Sequence, residues 1–157
     1  MWRNPKNQVS VDGPGAGEVV PLGPASVRIL EDGSTTTHRL GIVEITVAPH
    51  SDGPPQHRHA AHDEGFYVVR GVARFTVGDT VHEAPAGTLV MVPPGAPHKF
   101  ANPGDEPLVM VNTFTPDRYV QYFRDLRDAM ATTGQDMPAA AQSVMGHYGT
   151  TVSAEFA

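Results

Sequence analysis

The chain has 157 residues, which is one domain's worth, and its 39% apolar and 18% charged content excludes wholesale disorder. A net charge of −6 with no cluster of Lys or Arg excludes a nucleic-acid footprint. The absence of Cys excludes disulfides, thiolate metal sites and thiol nucleophiles.

Residues 1–24 read as a polar, Gly/Pro-rich arm. Its Gly13-Pro-Gly15-Ala-Gly17 run lacks the Lys-Ser/Thr of a phosphate loop and is expected to turn or extend. The opening MWRNPKNQVS has no apolar signal core, and no apolar run approaches the ~18 residues of a membrane span, so a cytoplasmic location without membrane contact is expected. Strands are predicted at 25–30 and at 39–47, where Leu40, Ile42, Ile45 and Val47 alternate with a slip of phase near Val43. Further strands are predicted at 65–70, 72–77, 80–84, 88–92, 98–101 and 108–114, separated by Gly and Pro turns. Many short strands with turn chemistry between them describe a sandwich or barrel. At Thr115 the pattern changes. Thr115-Pro116-Asp117 reads as an N-cap, a first-turn proline and an acid at the positive end of a helix. Tyr119, Tyr122, Phe123, Leu126, Ala129 and Met130 then recur at helical spacing, ending near Gly134, and 137–145 suggests a second, shorter helix. The expected layout is an arm at 1–24, a barrel at 25–114 and a helical extension at 115–157, all in one domain.

The histidines carry the chemistry. His57 and His59 stand two apart, so in a strand they project to one face. Glu64 follows a short turn and is expected to face the pair across an antiparallel ladder. His98 comes from a third strand, just after Pro93-Pro94-Gly95. Three imidazoles and one carboxylate, with no thiolate, suit one divalent first-row metal: Fe, Mn, Ni, Co or Zn. His62 is a candidate ligand or supporting residue in the turn between ligand strands, and Asp63 is expected in solvent. His38, His50, His82 and His147 lack partners at ligand spacing and are expected at the surface. Phe66 and Phe100 share the inward phases of Glu64 and His98, and Phe75 that of Ala73. With Met91, whose phase the sequence leaves open, they are the candidate pocket wall. Arg70, on the Glu64 phase, is a candidate partner for an anionic group. Tyr119 and Tyr122 are expected to pack.

The spacing resembles the cupin superfamily. Gly87, Pro93, Gly95, His98 and Asn102 match its second motif at every position, and His57, His59, Glu64 and Gly71 match the first. The first motif departs in one place: Gly53 stands three residues before the first His, where the family has a Gly five before it. The resemblance implies an all-β fold, a double-stranded β-helix or cupin jelly-roll barrel, with the helical extension appended. It implies His57, His59, Glu64 and His98 as metal ligands at the wider end. A small single cupin with an aromatic pocket looks like the quercetin 2,3-dioxygenase-like group. That likeness suggests a dioxygenase that uses O₂ on a small enol, enediol or aromatic polyketide- or flavonol-like substrate, with Glu64 as the catalytic base. The alternatives are non-redox isomerase, lyase or hydrolase chemistry at the same metal, or a non-catalytic binding barrel. Cupins of this kind often pair, so a homodimer is expected, with the arm as a possible exchanged segment.

Overall fold

The computed structural model describes residues 8–153, so 1–7 of the expected arm and 154–157 of the expected extension lie outside the described residues. Eleven strands and two helices follow in order. They are β1 (Glu18–Leu22), β2 (Ala25–Glu31), β3 (Gly41–Val47), β4 (His57–His59), β5 (Asp63–Arg70), β6 (Val72–Val77), β7 (Thr80–Pro85), β8 (Leu89–Val92), β9 (Lys99–Ala101), β10 (Leu108–Thr115), α1 (Val120–Thr133), α2 (Met137–Val144) and β11 (Thr150–Val152). No helix among the described residues is long and apolar enough to cross a membrane.

The strands form two facing layers. One is a six-stranded antiparallel sheet in the order β1-β2-β3-β10-β5-β8. The other has the three strands β7-β6-β9 and is extended by β4, which joins through the His57–His98 bridge and pairs on its far edge with β11. Alternation decides which residues meet between the layers. Val43, Ile45 and Val47 point inward from β3, and Leu108, Met110, Asn112 and Phe114 from β10. The inward phase of β3 therefore runs unbroken through Val43. Ile42 lies on the opposite phase, and no slip occurs.

The end of the expected arm is a strand of the sheet. β1 pairs with β2 of the same chain over five residues, turning at Gly23. Its Glu18 carboxylate takes Arg124 Nε at 2.8 Å and an Arg127 guanidinium nitrogen at 2.9 Å, which ties β1 to α1. The start of the helical region also differs from expectation. Thr115 is the last residue of β10, Asp117–Tyr119 is a 3-10 turn, and α1 begins only at Val120. Asp117 is buried and takes His38 Nδ1 at 3.0 Å instead of capping a helix. The extension is not wholly helical, since it returns β11 to the barrel.

Two residues, Gly53 and Asn102, show why the barrel closes as it does. Gly53 has φ +70°, and a Cβ there would collide with the Phe100 carbonyl oxygen, so only glycine admits this approach to β9. Asn102 is 1% exposed. Its Nδ2 donates to the carbonyls of Val47, Ala48 and Glu106 at 2.8–3.2 Å, and its Oδ1 accepts from Gly104 N. One side chain thus satisfies backbone groups of two separate turns. Asn102→Ala removes its bonds to the buried Val47 carbonyl and to the part-buried carbonyls of Ala48 and Glu106, and should lower unfolding stability by about 1–3 kcal/mol in urea titration. An unchanged midpoint would show that the turn closes without this side chain.

Candidate metal centre

β4 is only His57-Arg58-His59, and its alternation sends both imidazoles inward with Arg58 on the other face. His57 exchanges backbone hydrogen bonds with His98 at 3.0 and 2.9 Å. Gly95, with φ +85°, turns the chain after Pro93-Pro94 so that His98 faces the interior. Glu64 arrives differently from the sequence expectation. β4 and β5 are not ladder neighbours, because residues 60–62 carry the chain from one layer to the other. Glu64 therefore reaches the histidines across the barrel, from the opposite sheet.

The four side chains meet. One ligand atom from each of His57, His59, Glu64 and His98 lies within 4.8 Å of the others, and all four residues are buried. Glu64 Oε2 is 2.9 Å from His59 Nε2 and 3.0 Å from His98 Nε2. Each imidazole is held from behind through Nδ1. His57 Nδ1 meets the Pro55 carbonyl at 2.8 Å, His98 Nδ1 the Ala96 carbonyl at 3.0 Å, and His59 Nδ1 the Thr150 hydroxyl at 2.8 Å. A carbonyl only accepts, so Nδ1 of His57 and of His98 carries the proton and Nε2 is left facing the cluster. That is the arrangement imidazole needs to bind a metal through Nε2. His59 Nε2 is buried with no aligned hydrogen-bond partner. The residues thus fit one divalent first-row ion, with borderline nitrogen donors and one hard oxygen.

The electrostatics agree. Burial, reinforced by His98 and His59, pushes His57 down to about 4, so it is neutral and ready to coordinate at neutral pH. Burial opposes the Glu64 anion, but the contacts with His59 and His98 outweigh it and hold the carboxyl well below its usual range. Burial likewise opposes the His98 cation, and Glu64 reverses this and raises its pKa. A bound cation would replace that proton as the partner of the carboxylate.

The other predicted residues divide. His62 lies in the expected turn but is buried. Its ring packs 4.4 Å from His59, its Nε2 has no partner, and it stands outside the four-residue cluster. Phe66 and Phe75 are buried and pack at 5.2 Å as core beneath the ligands, whereas Phe100 lines the cavity. Met91 faces away. It is 57% exposed, because the inward phase of β8 belongs to Val92. Arg70 also points out and pairs with Glu106 at 3.2 Å. A bulge beside Val109 and Met110 ends the alternation of β5 before it reaches Arg70. His38, His50, His82 and His147 are exposed, as is Asp63.

Three contributors were not picked out by sequence reasoning. Asn112 is fully buried, donates to Glu64 Oε1 at 3.2 Å and to the Gly65 carbonyl at 2.8 Å, and so aims the carboxylate. Thr150 holds His59. Tyr119 sets its ring edge against His59 at 4.5 Å and stacks on Tyr122 at 4.5 Å. Burial raises both phenols, Tyr122 to about 12, so both stay protonated. Tyr119, Tyr122, Phe100, Asn112, His57 and Glu64 border a cavity of about 80 Å³ roofed by residues of α1 and α2, with no Lys or Arg in its lining.

These shifts predict how the metal-free protein responds to acid. His57 and His62, both lowered by burial to about 4, bind fewer protons folded than unfolded between about 4 and 6.5. Stability should fall as pH drops through that window, because the unfolded chain takes up the protons. Glu64, held low in the folded chain, adds to the loss from about pH 4.5 downward, where the unfolded carboxyl takes up its proton. Thermal melts with chelator present check this, and a melting temperature flat from pH 7 to pH 4.5 would contradict it.

Comparison with known proteins matches this architecture. Residues 43–114 match the family model for the cupin domain. An uncharacterized protein of Methanocaldococcus jannaschii is 33% identical over 52 residues, covering 33% of this chain and 42% of that protein, so the match spans under half of the relative's length. Among solved structures, KdgF from Halomonas sp. superposes with a TM-score of 0.61 at 17% identity, covering 69% of this chain and 94% of that one. A Cupin 2 conserved barrel domain protein from Salinispora arenicola gives 0.57 at 23%, covering 75% and 98%. A sugar phosphate isomerase from Silicibacter pomeroyi gives 0.52 at 22%, covering 59% of each chain. Residues 43–114, a little under half of the chain, are similar to the cupin domain, and the chain shares the barrel fold of these solved structures.

Proposed function

We propose that the chain is a metal-dependent cupin enzyme, and that it acts as an oxygenase on a small, largely apolar enol or enediol. The observation that carries the reading is the convergence of three imidazole nitrogens and one carboxylate within 4.8 Å, with His57 and Glu64 reaching the wall of a mainly apolar cavity. His57, His59 and His98 would hold the ion through Nε2, and Glu64 through its carboxylate. A bound first-row ion would supply Lewis acidity and, where its valence can change, a route for electrons between substrate and O₂.

The chain's own groups do the rest. Asn112 fixes Glu64 Oε1 and leaves Oε2 toward the histidines. From there Glu64 can take the hydroxyl proton of an enol, general-base work that gains from a fixed orientation. Phe100, Tyr119 and Tyr122 keep bulk water away and supply a flat surface for an unsaturated substrate. A lining without Lys or Arg offers nothing to a phosphate. This argues against the substrate class in the name of the sugar phosphate isomerase whose fold is shared. Size is a further constraint. A cavity of about 80 Å³ takes the small end of the enol range, while a flavonol- or polyketide-sized ring system needs α1 and α2 to move apart.

The test is a screen of small enols and enediols with protein loaded separately with Fe(II), Mn(II), Ni(II) and Zn(II), run in air and under nitrogen. The reading predicts oxygen uptake that stops on chelation and is absent with Zn(II). Glu64→Gln should retain much of the metal and lose about 10²–10⁴-fold in turnover. Equal turnover without oxygen would replace the oxygenase by an isomerase or lyase on the same metal. Metal uptake with no turnover at all would favour a binding barrel.

A further inference from the structure

β4 carries two of the four converging side chains on three residues. A strand so short is placed by its neighbours. One edge is held by His98. The other is held by β11, with Thr150 opposite His59 and Val152 opposite His57. Ala60 N donates to the Gly149 carbonyl and Ser153 N to the Gln56 carbonyl, each at 2.9 Å, which prolongs this pairing at both ends. Arg58 Nε donates to Ser153 Oγ at 3.1 Å.

His57 and His98 orient themselves locally, each through Nδ1 to the carbonyl two residues before it. For His59 the equivalent carbonyl is that of His57, which already accepts from His98 N at 2.9 Å. Its partner comes instead from 91 residues away: Thr150 Oγ1, 2.8 Å from Nδ1, with both residues 2% exposed. His62 at 4.4 Å and Tyr119 at 4.5 Å pack against the same ring. Packing thus sets the ring's position, Glu64 Oε2 faces its Nε2 at 2.9 Å, and among the described residues Thr150 is the polar partner of its Nδ1.

We propose that Thr150 is a positioning residue for the metal centre: its hydroxyl accepts the Nδ1 proton of His59 and so fixes the Nε2 lone pair toward the cluster. Metal affinity then depends on a C-terminal strand that lies beyond the cupin-domain match at 43–114. The proposal rests on the metal reading above, and its test separates the two. A purely structural Thr150 would matter only for docking β11, and valine, nearly the same shape, would replace it.

Cobalt(II) affinity is measured by chelator competition, with the visible spectrum of bound Co(II) as a report of ligand geometry. The set is wild type, Thr150→Val, Thr150→Ala, Thr150→Ser and Ser153→Ala, each with a melting curve of the metal-free form. Thr150→Val and Thr150→Ala should bind about 10–100-fold more weakly with an altered spectrum. Thr150→Ser should recover most of the affinity and the spectrum. Ser153→Ala, which loosens the same strand pair without touching a ligand, should bind like wild type. Wild-type affinity and spectrum in whichever of the valine and alanine variants folds would overturn the role of Thr150 alone, as would a loss in Ser153→Ala equal to theirs. A wild-type chain that takes up no Co(II) would overturn the metal reading and this proposal with it.

Discussion

One carboxylate shared by buried imidazoles is the constraint on which the structure turns. Glu64 is 4% exposed and touches His59 and His98 through a single oxygen. Such a group is costly to bury unless its charge is met. Its second oxygen is met by Asn112, and the first faces two nitrogens, of which His98 Nε2 is aligned with it and His59 Nε2 is not. A cation among the four ligands resolves that arrangement, because it satisfies the carboxylate and all the inward lone pairs at once. The outward nitrogens already have acceptors from Pro55, Thr150 and Ala96.

The barrel exists in the form that lets this happen. The carboxylate comes from the six-stranded sheet and the imidazoles from the facing layer, so the cluster sits where the two layers meet. The turns around the converging side chains are built from backbone constraints: the positive φ of Gly95 before His98, the close approach of Gly53 to Phe100, and the hydrogen bonds of Asn102. Above the cluster, Tyr119 and Tyr122 at the start of the helical region replace water with aromatic surface. Core packing of Phe66 on Phe75 supports it from below.

The strands and the four converging side chains were legible because each leaves a local mark. His57 and His59 are two apart, Pro93 and Gly95 punctuate the chain before His98, and β5 and β6 are rich in β-branched and aromatic residues. Asn112 was legible in principle, as the polar member of an inward row with Leu108, Met110 and Phe114. Thr150 was not, because a three-residue strand after a glycine has no period and its partner lies 91 residues away. Asp117 resembled a helix acid by type and position, but the buried space under His38 claimed it. Arg70 and Met91 failed for opposite reasons. A bulge defeated the extrapolated phase of one, and on an edge strand the other had no phase to extrapolate. Tyr119 and Tyr122 do pack, as helical spacing implied, but they pack around the cavity as part of its wall.

The central claim is that His57, His59, His98 and Glu64 ligate one ion. X-ray absorption spectroscopy of protein loaded with a single equivalent of metal tests it most directly. The account predicts a nearest shell of nitrogen and oxygen, with the outer-shell scattering of three imidazole rings. A shell of oxygen alone, or scattering from one imidazole or none, would contradict it.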